Sequence, residues 1–158
     1  MWVMVAALAI LVQAPGEPVP YPGIADPVAF MTARYGEYRR GVRPSVPADT
    51  YASARLRRHF YAFDEAAGGQ ELDSLDFWID DPDDWALAGL GLTLEPVRAA
   101  GRQIVTARFR NEGRPVRLRF HFVRESGRWW LDEVVKPGRG GWTLTQRLAI
   151  RPSARPNR

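Results

Sequence analysis

The strongest constraint on the fold is a change of period in the second half of the chain. After Leu92 the apolar residues stop recurring at helical spacing and begin to alternate, in "RQIVTARFR" (102–110), "PVRLRFHFVRE" (115–125) and "RWWLDEVV" (128–135). Period two is the mark of strands with one buried and one solvated face. The connections are short: Glu112-Gly113 and Ser126-Gly127 suit two-residue hairpin turns, and a register follows from them. Phe109 faces Val116, Ala107 faces Leu118 and Val105 faces Phe120; in the next hairpin Phe122 faces Leu131 and Arg124 faces Trp129. One face then collects Val105, Ala107, Phe109, Val116, Leu118, Phe120, Phe122, Leu131 and Trp129. The other collects Arg108, Arg117, Arg119, His121, Trp130 and Asp132, with His121 directly opposite Asp132. A slip of one residue would scramble both sets. A further strand is expected around 92–97, with Pro96 at its edge or end.

Two helices precede the strands. In "ADPVAFMTARYGEYRRG", Asp26 is placed to accept from first-turn amides and Pro27 suits the first helical position. Val28, Met31, Tyr35 and Tyr38 share a face, and Gly41 ends the helix. A second helix is expected from about Asp49 to Ala67, with Ala52, Leu56, His59, Phe60 and Phe63 on its core stripe and Gly68-Gly69 at its end. His59 reads as a core-edge histidine rather than a ligand. Two helices followed by a meander make an α+β domain, its N-terminal helices packed on a curved antiparallel sheet.

A chain of 158 residues with 46% hydrophobic residues supports one such domain. It has no cysteine, which excludes disulfides, thiol catalysis and cysteine zinc sites. The net charge of +4 comes almost wholly from arginine, Lys136 being the only lysine. Acidic residues are interspersed with the arginines, so the charge reads as scattered and solvated, and nucleic acid is not expected as a partner.

"MWVMVAALAILVQA" (1–14) is apolar and uncharged, shorter than the roughly 20 residues of a membrane span. It reads as a signal peptide cleaved after Ala14, although no Lys or Arg precedes its apolar run. Residues 15–26, with "PGEPVPYPG", read as a proline-rich linker, 27–150 as the domain, and 151–158 as a disordered basic tail. The expected location is periplasmic or secreted, with no membrane span after cleavage.

The stretch "DFWIDDPDDW" (76–85) is the densest in chemistry. Its aspartates lack the alternating spacing, glycine and bidentate glutamate of a calcium loop. Asp76, beside Phe77 and Trp78, is the one carboxylate with apolar neighbours and so the candidate for acid–base chemistry, but no partner set accompanies it. The preferred reading is a helix start, with Asp80 or Asp81 as cap, Pro82 at the first position, and Trp85, Leu87 and Ala88 docked on the core. "GLG" at 89–91 lacks the context of a dinucleotide site, and the chain's two histidines, His59 and His121, cannot make a multi-histidine zinc site. No metal and no cofactor is expected.

The closing "GRWWLDEVV" resembles the last strand of the nuclear-transport-factor-2-like superfamily. "FMTARYGEY", "DFWIDDPDDW" and "ARFRNEGRPVRLRFHFVRESGRWWLDEV" together resemble the bacterial exported family domain of unknown function 3828, over roughly residues 27 to 137. The chain departs from that pattern at Asp83 and Asp84, where an amide is expected. The resemblance implies a cone of helices on a curved sheet and no established activity. Superfamily enzymes do run acid–base chemistry in such a cavity.

The expected function is therefore that of a non-catalytic exported envelope protein binding a small ligand or a protein partner, through the cone cavity or the outer sheet face. The alternative is a small hydrolase or isomerase using a cavity carboxylate such as Asp76. Trp130, His121, Asp132 and Arg119 are the candidate interface residues, for an envelope partner or a homodimer.

Overall fold

The structure, a computed structural model, describes residues 22–44, 46–67, 76–80 and 85–149. Helix α1 (Pro27–Arg39) starts as its sequence requires: the Asp26 carboxylate accepts from the Ala29 amide at 2.9 Å, and Pro27 occupies the first turn. Met31, Tyr35 and Tyr38 are buried on one side.

The second helix begins later than its periodicity suggests. Ala48–Thr50 form a single 3₁₀ turn, and α2 runs Ala54–Ala67. The three residues between are taken by the sheet: Leu131 donates to the Tyr51 carbonyl at 2.7 Å, and Ser53 donates to the Leu131 carbonyl at 2.8 Å. A backbone whose groups are already paired with a strand cannot also close helical rings. Ser53 Oγ then accepts from the Leu56 amide at 3.0 Å and opens the helix. Ala52, Leu56, Phe60 and Phe63 are buried as expected, and His59 sits half-buried on the shoulder of the stripe. The glycines expected to end α2, Gly68 and Gly69, lie outside the described residues.

Among the described residues one antiparallel sheet holds β1 (Leu87–Glu95), β2 (Arg102–Asn111), β3 (Arg114–Glu125), β4 (Arg128–Lys136) and β5 (Trp142–Thr143), in that spatial order. Both hairpins turn where expected. Glu112 and Gly113 have φ of 48° and 77°, Ser126 and Gly127 of 49° and 79°, the paired positive values of the turn whose twist matches the strands. The pairs Phe109–Val116, Ala107–Leu118, Val105–Phe120, Phe122–Leu131 and Arg124–Trp129 are all present.

Three expectations need correction. The first strand begins at Leu87, ends before Pro96 and forms the sheet edge, so Leu87 and Ala88 belong to a strand, with Ala88 exposed. The β3–β4 register shifts between His121 and Phe122, so His121 faces Glu133 and Asp132 is the extra residue of a bulge. The linker ends sooner than residue 26: Ile24 is buried, and it exchanges backbone hydrogen bonds with Trp129 at 2.8 and 2.9 Å. The leader 1–14 and tail 151–158 lie outside the described residues. Among the described residues no helix is long and apolar enough to cross a membrane.

The core lies between the helices and the inner face of the sheet. Val105, Ala107, Leu118, Phe120, Phe122, Leu131 and Val134 face Met31, Tyr35, Leu56 and Phe60 within one buried cluster. The C-terminal helix α3 (Leu144–Ala149) adds Leu144 and Leu148 to it.

Candidate functional site

The stretch "DFWIDDPDDW" divides among three jobs. Phe77, Trp78 and Ile79 are buried in the core, and Trp78 stacks on Phe120 with ring centroids 5.4 Å apart and planes at 13°. Tyr35 donates its hydroxyl to the Trp78 carbonyl at 2.7 Å, which satisfies that buried group. The Arg34 guanidinium lies 5.3 Å from the Trp78 ring and 5.2 Å from Phe30. The centre of the space between helices and sheet is thus filled by this chain's own tryptophan.

Asp76 stands at one margin of that plug. It is 6% exposed, and Tyr38 donates its hydroxyl to both carboxylate oxygens at 2.7 and 2.8 Å. The Trp78 amide donates at 3.2 Å, and the Arg43 guanidinium lies 3.5 Å away. Burial pushes the Asp76 carboxyl above its ordinary value, against the opposing pull of Tyr38, the Trp78 amide and Arg43. Burial and the nearby Asp76 charge raise the Tyr38 hydroxyl far above its usual range, so it stays a donor. The residue singled out for acid–base chemistry is a carboxylate tied down on several sides.

Asp80 serves the other end. It has a left-handed backbone (φ 64°), and its carboxylate takes the Lys136 ammonium and, at 2.8 Å, the Trp142 indole N–H. Residues 81–84, with the expected Pro82 helix start, lie outside the described residues. Trp85 packs against the core and donates to the Tyr38 carbonyl at 3.1 Å.

Beside Asp80 a cleft of about 540 Å³ opens at the end of the β2–β3 hairpin. Asn111, Glu112, Arg114, Lys136, Trp142 and Arg147 line it. Arg147 lies over the Trp142 ring at 4.7 Å. Asn111 is buried; its side chain accepts from the Ala86 amide at 3.0 Å and donates to the Ile79 carbonyl at 3.4 Å. It therefore holds both sides of the acidic stretch against β2. Neither Asn111 nor Trp142 stood out in the sequence. A lone Asn before Glu-Gly reads as turn chemistry, and only the fold brings Asp80 to Trp142.

The residues grouped on the outer face separate. Trp130 is 9% exposed: a Cβ on Gly23 would stand 3.0 Å from its ring, and the Arg57 guanidinium lies 5.3 Å from it. Asp132 accepts from Ser53 Oγ at 2.7 Å and from Arg55 Nε at 3.0 Å. Burial works to raise the Asp132 carboxyl, but the hydrogen bonds from Arg55 and Ser53 outweigh it and hold the group below its usual range. Glu133 is drawn to α3, accepting from the Thr145 amide at 3.1 Å. His121 moves opposite to the sign expected from a facing carboxylate. Burial lowers its pKa, Arg119 lowers it further, and Glu133, Glu95 and Asp132 restore only part. Arg119 is paired with Glu95 at 2.7 Å. Among the described residues no group of His, Asp and Glu could hold a metal ion.

No protein-family model matches the chain, and no curated protein matches it. Among solved structures, a phospholipid-binding protein from Ralstonia solanacearum in complex with a phospholipid is similar at 15% identity and a TM-score of 0.31. The match covers 66% of this chain and 50% of that one, so the chain spans about half the length of that protein.

Proposed function

We propose that this is a non-catalytic, exported binding protein of the bacterial periplasm or exterior, related to the nuclear-transport-factor-2-like superfamily, that takes a small polar ligand in the cleft beside Asp80. The observation that carries this reading is the cleft itself. Its roughly 540 Å³ is ample for a small molecule, and an indole, three cationic side chains and the Asn111–Glu112 end of β2 converge on it. Trp142 gives the cleft an aromatic wall for a planar or apolar part of the ligand, while Arg114 and Arg147 suit an acidic group. The non-catalytic part rests on Asp76: a carboxylate pinned by Tyr38 and the Trp78 amide has its lone pairs committed to structure. Export rests on the apolar leader, and a homodimer through the outer face remains part of the proposal.

Native mass spectrometry of the protein purified from its own envelope fraction tests the reading. The expected result is an adduct on the wild type that is lost in Arg114→Ala/Arg147→Ala while the melting temperature stays within a few degrees. An adduct-free spectrum, or an adduct that survives the double variant, overturns the cleft as the site. Recovery of the protein with Met1 intact from the cytoplasm overturns export.

A further inference from the structure

Over the whole chain the arginines are interspersed with acids, but on the outer face the alternation gathers several of them. Arg108 and Arg117 are a directly opposed pair on β2 and β3, with Arg110 two residues beyond Arg108 and Arg119 two beyond Arg117. Like charges placed opposite one another on neighbouring strands destabilise a sheet. The local carboxylate relieves only the β3 side of this group. Glu95 accepts from the Thr106 hydroxyl, pairs with Arg119 at 2.7 Å and lies 3.8 Å from Arg117. Arg108 and Arg110 have no ion pair among the described residues and are exposed.

The arginines also border a space. A cleft of about 520 Å³ lies between Ala88–Gly89 of β1 and Arg108, Arg110 and Arg117, with Phe109, Pro115 and Val116 completing its wall. Its β1 side is bare: β1 shifts register between Ala88 and Gly91, and a Cβ on Gly89 or Gly91 would meet nothing within 4 Å. Strand positions favour β-branched and aromatic side chains. Here glycines stand on one strand and unpaired arginines on the next.

We infer that this arginine-lined cleft on the outer face of the sheet is a binding site for a phosphate group. A planar guanidinium presents paired N–H donors that match two phosphate oxygens, and two opposed forks enclose a tetrahedral dianion better than a planar carboxylate. The bound anion supplies the counter-charge that Arg108 lacks and that Arg117 must share with Arg119 at Glu95. This cleft adjoins the one beside Asp80, with which it shares Pro115 and Val116, but none of its arginines lines that other cleft, which contains its own acids. A phosphate monoester in solution and the headgroup of an anionic lipid share this chemistry.

Calorimetric titration with glycerol 3-phosphate tests the first source. Cosedimentation with vesicles of phosphatidylcholine, with and without phosphatidic acid, tests the second. Each is run on the wild type, Arg108→Ala/Arg117→Ala, Gly91→Glu and Arg58→Ala, the last an exposed arginine of α2 that changes net charge elsewhere. Saturable binding in either arm, weakened about tenfold or more by the double variant and by Gly91→Glu but less than about twofold by Arg58→Ala, is the expected result. The ligand should also raise the melting temperature of the wild type and leave that of the double variant unmoved. No saturable binding in either arm overturns the inference. So does equal weakening by Arg58→Ala, or tighter, steeply salt-dependent binding of a DNA duplex with the same variant profile, which marks a polyanion face instead. Arg114→Ala/Arg147→Ala, titrated in parallel, should bind as the wild type does, which keeps this outcome separate from the fate of the other cleft.

Discussion

Strands β2 and β3 show two faces that share one backbone and are held by opposite physics. On the inner face Val105, Ala107, Leu118 and Phe120 are fully buried, and Phe120 carries the stacked Trp78 ring. Its energy is area removed from water and contact without voids, which depend on shape and hardly on salt or pH. On the outer face, one residue away at every step, Thr106 is buried beneath a half-exposed lattice of Glu95, Arg117 and Arg119, and Arg108 and Arg110 stand unpaired. Its energy is charge near water, small and screened. The same register creates both faces. The inner one tolerates no change of volume, and the outer one is left free to meet a ligand.

Truncation at paired positions gives the largest contrast. Phe120→Ala removes the ring under Trp78 and should cost about 3–5 kcal/mol in urea unfolding. A loss of under about 1 kcal/mol would mean that the Trp78 plug is loosely seated and that the centre of the fold is an open cavity after all.

Asp76 and Asp132 sharpen the comparison next, because they respond to pH with opposite sign. Asp76→Ala leaves Tyr38 and the Trp78 amide without their acceptor and should cost about 2–3 kcal/mol. The Asp76 carboxyl is raised in the folded state, so the folded protein holds its proton longer than the unfolded chain. Stability from this group is present at low pH and is lost as pH rises from the ordinary carboxylate value through the raised one. Asp132 is lowered, so its contribution is present above the ordinary value and is lost as pH falls through the depressed one. Compared with the wild type, Asp76→Asn should therefore gain relative stability as pH climbs out of the acid range, and Asp132→Asn should gain it as pH falls. Parallel curves for the two variants would show that neither carboxylate is held as described.

The smallest effect belongs to Arg119. Its pairing with Glu95 at 2.7 Å, with its side chain 31% exposed, should make Arg119→Ala cost about 0.5–1 kcal/mol at low salt and less at high salt. A salt-independent loss of the size seen at Phe120 would place Arg119 in packing rather than in charge.

Much of the sheet was legible from the chain. Glu112-Gly113 and Ser126-Gly127 each demand a turn with two positive φ values, and turn length together with alternation leaves one register for β2 through the start of β4. The register failed only past Phe122, where a bulge adds one residue and carries Asp132 away from the position opposite His121. A bulge has no residue signature here: Leu-Asp-Glu-Val alternates acceptably in either register. The helix expected from Asp49 also gave way in part, because Tyr51, Ala52 and Ser53 found strand partners on β4 that no local pattern announces.

What the sequence determined by itself is whatever one segment can enforce alone. That covers α1 with its Asp26 cap, the two hairpin turns, the inner and outer sets of β2 and β3, and through them the α+β class. Tertiary structure decided everything that joins distant segments. It carried Trp78 into the core, turned Asp76 into an anchor for Tyr38, joined Asp80 to Lys136 and Trp142, and drew the arginines around a cleft that β1 leaves bare. The physical reason is that hydrogen-bond geometry and side-chain alternation act over a few residues, whereas burial and charge depend on which surfaces meet, and that is settled only when the chain closes on itself.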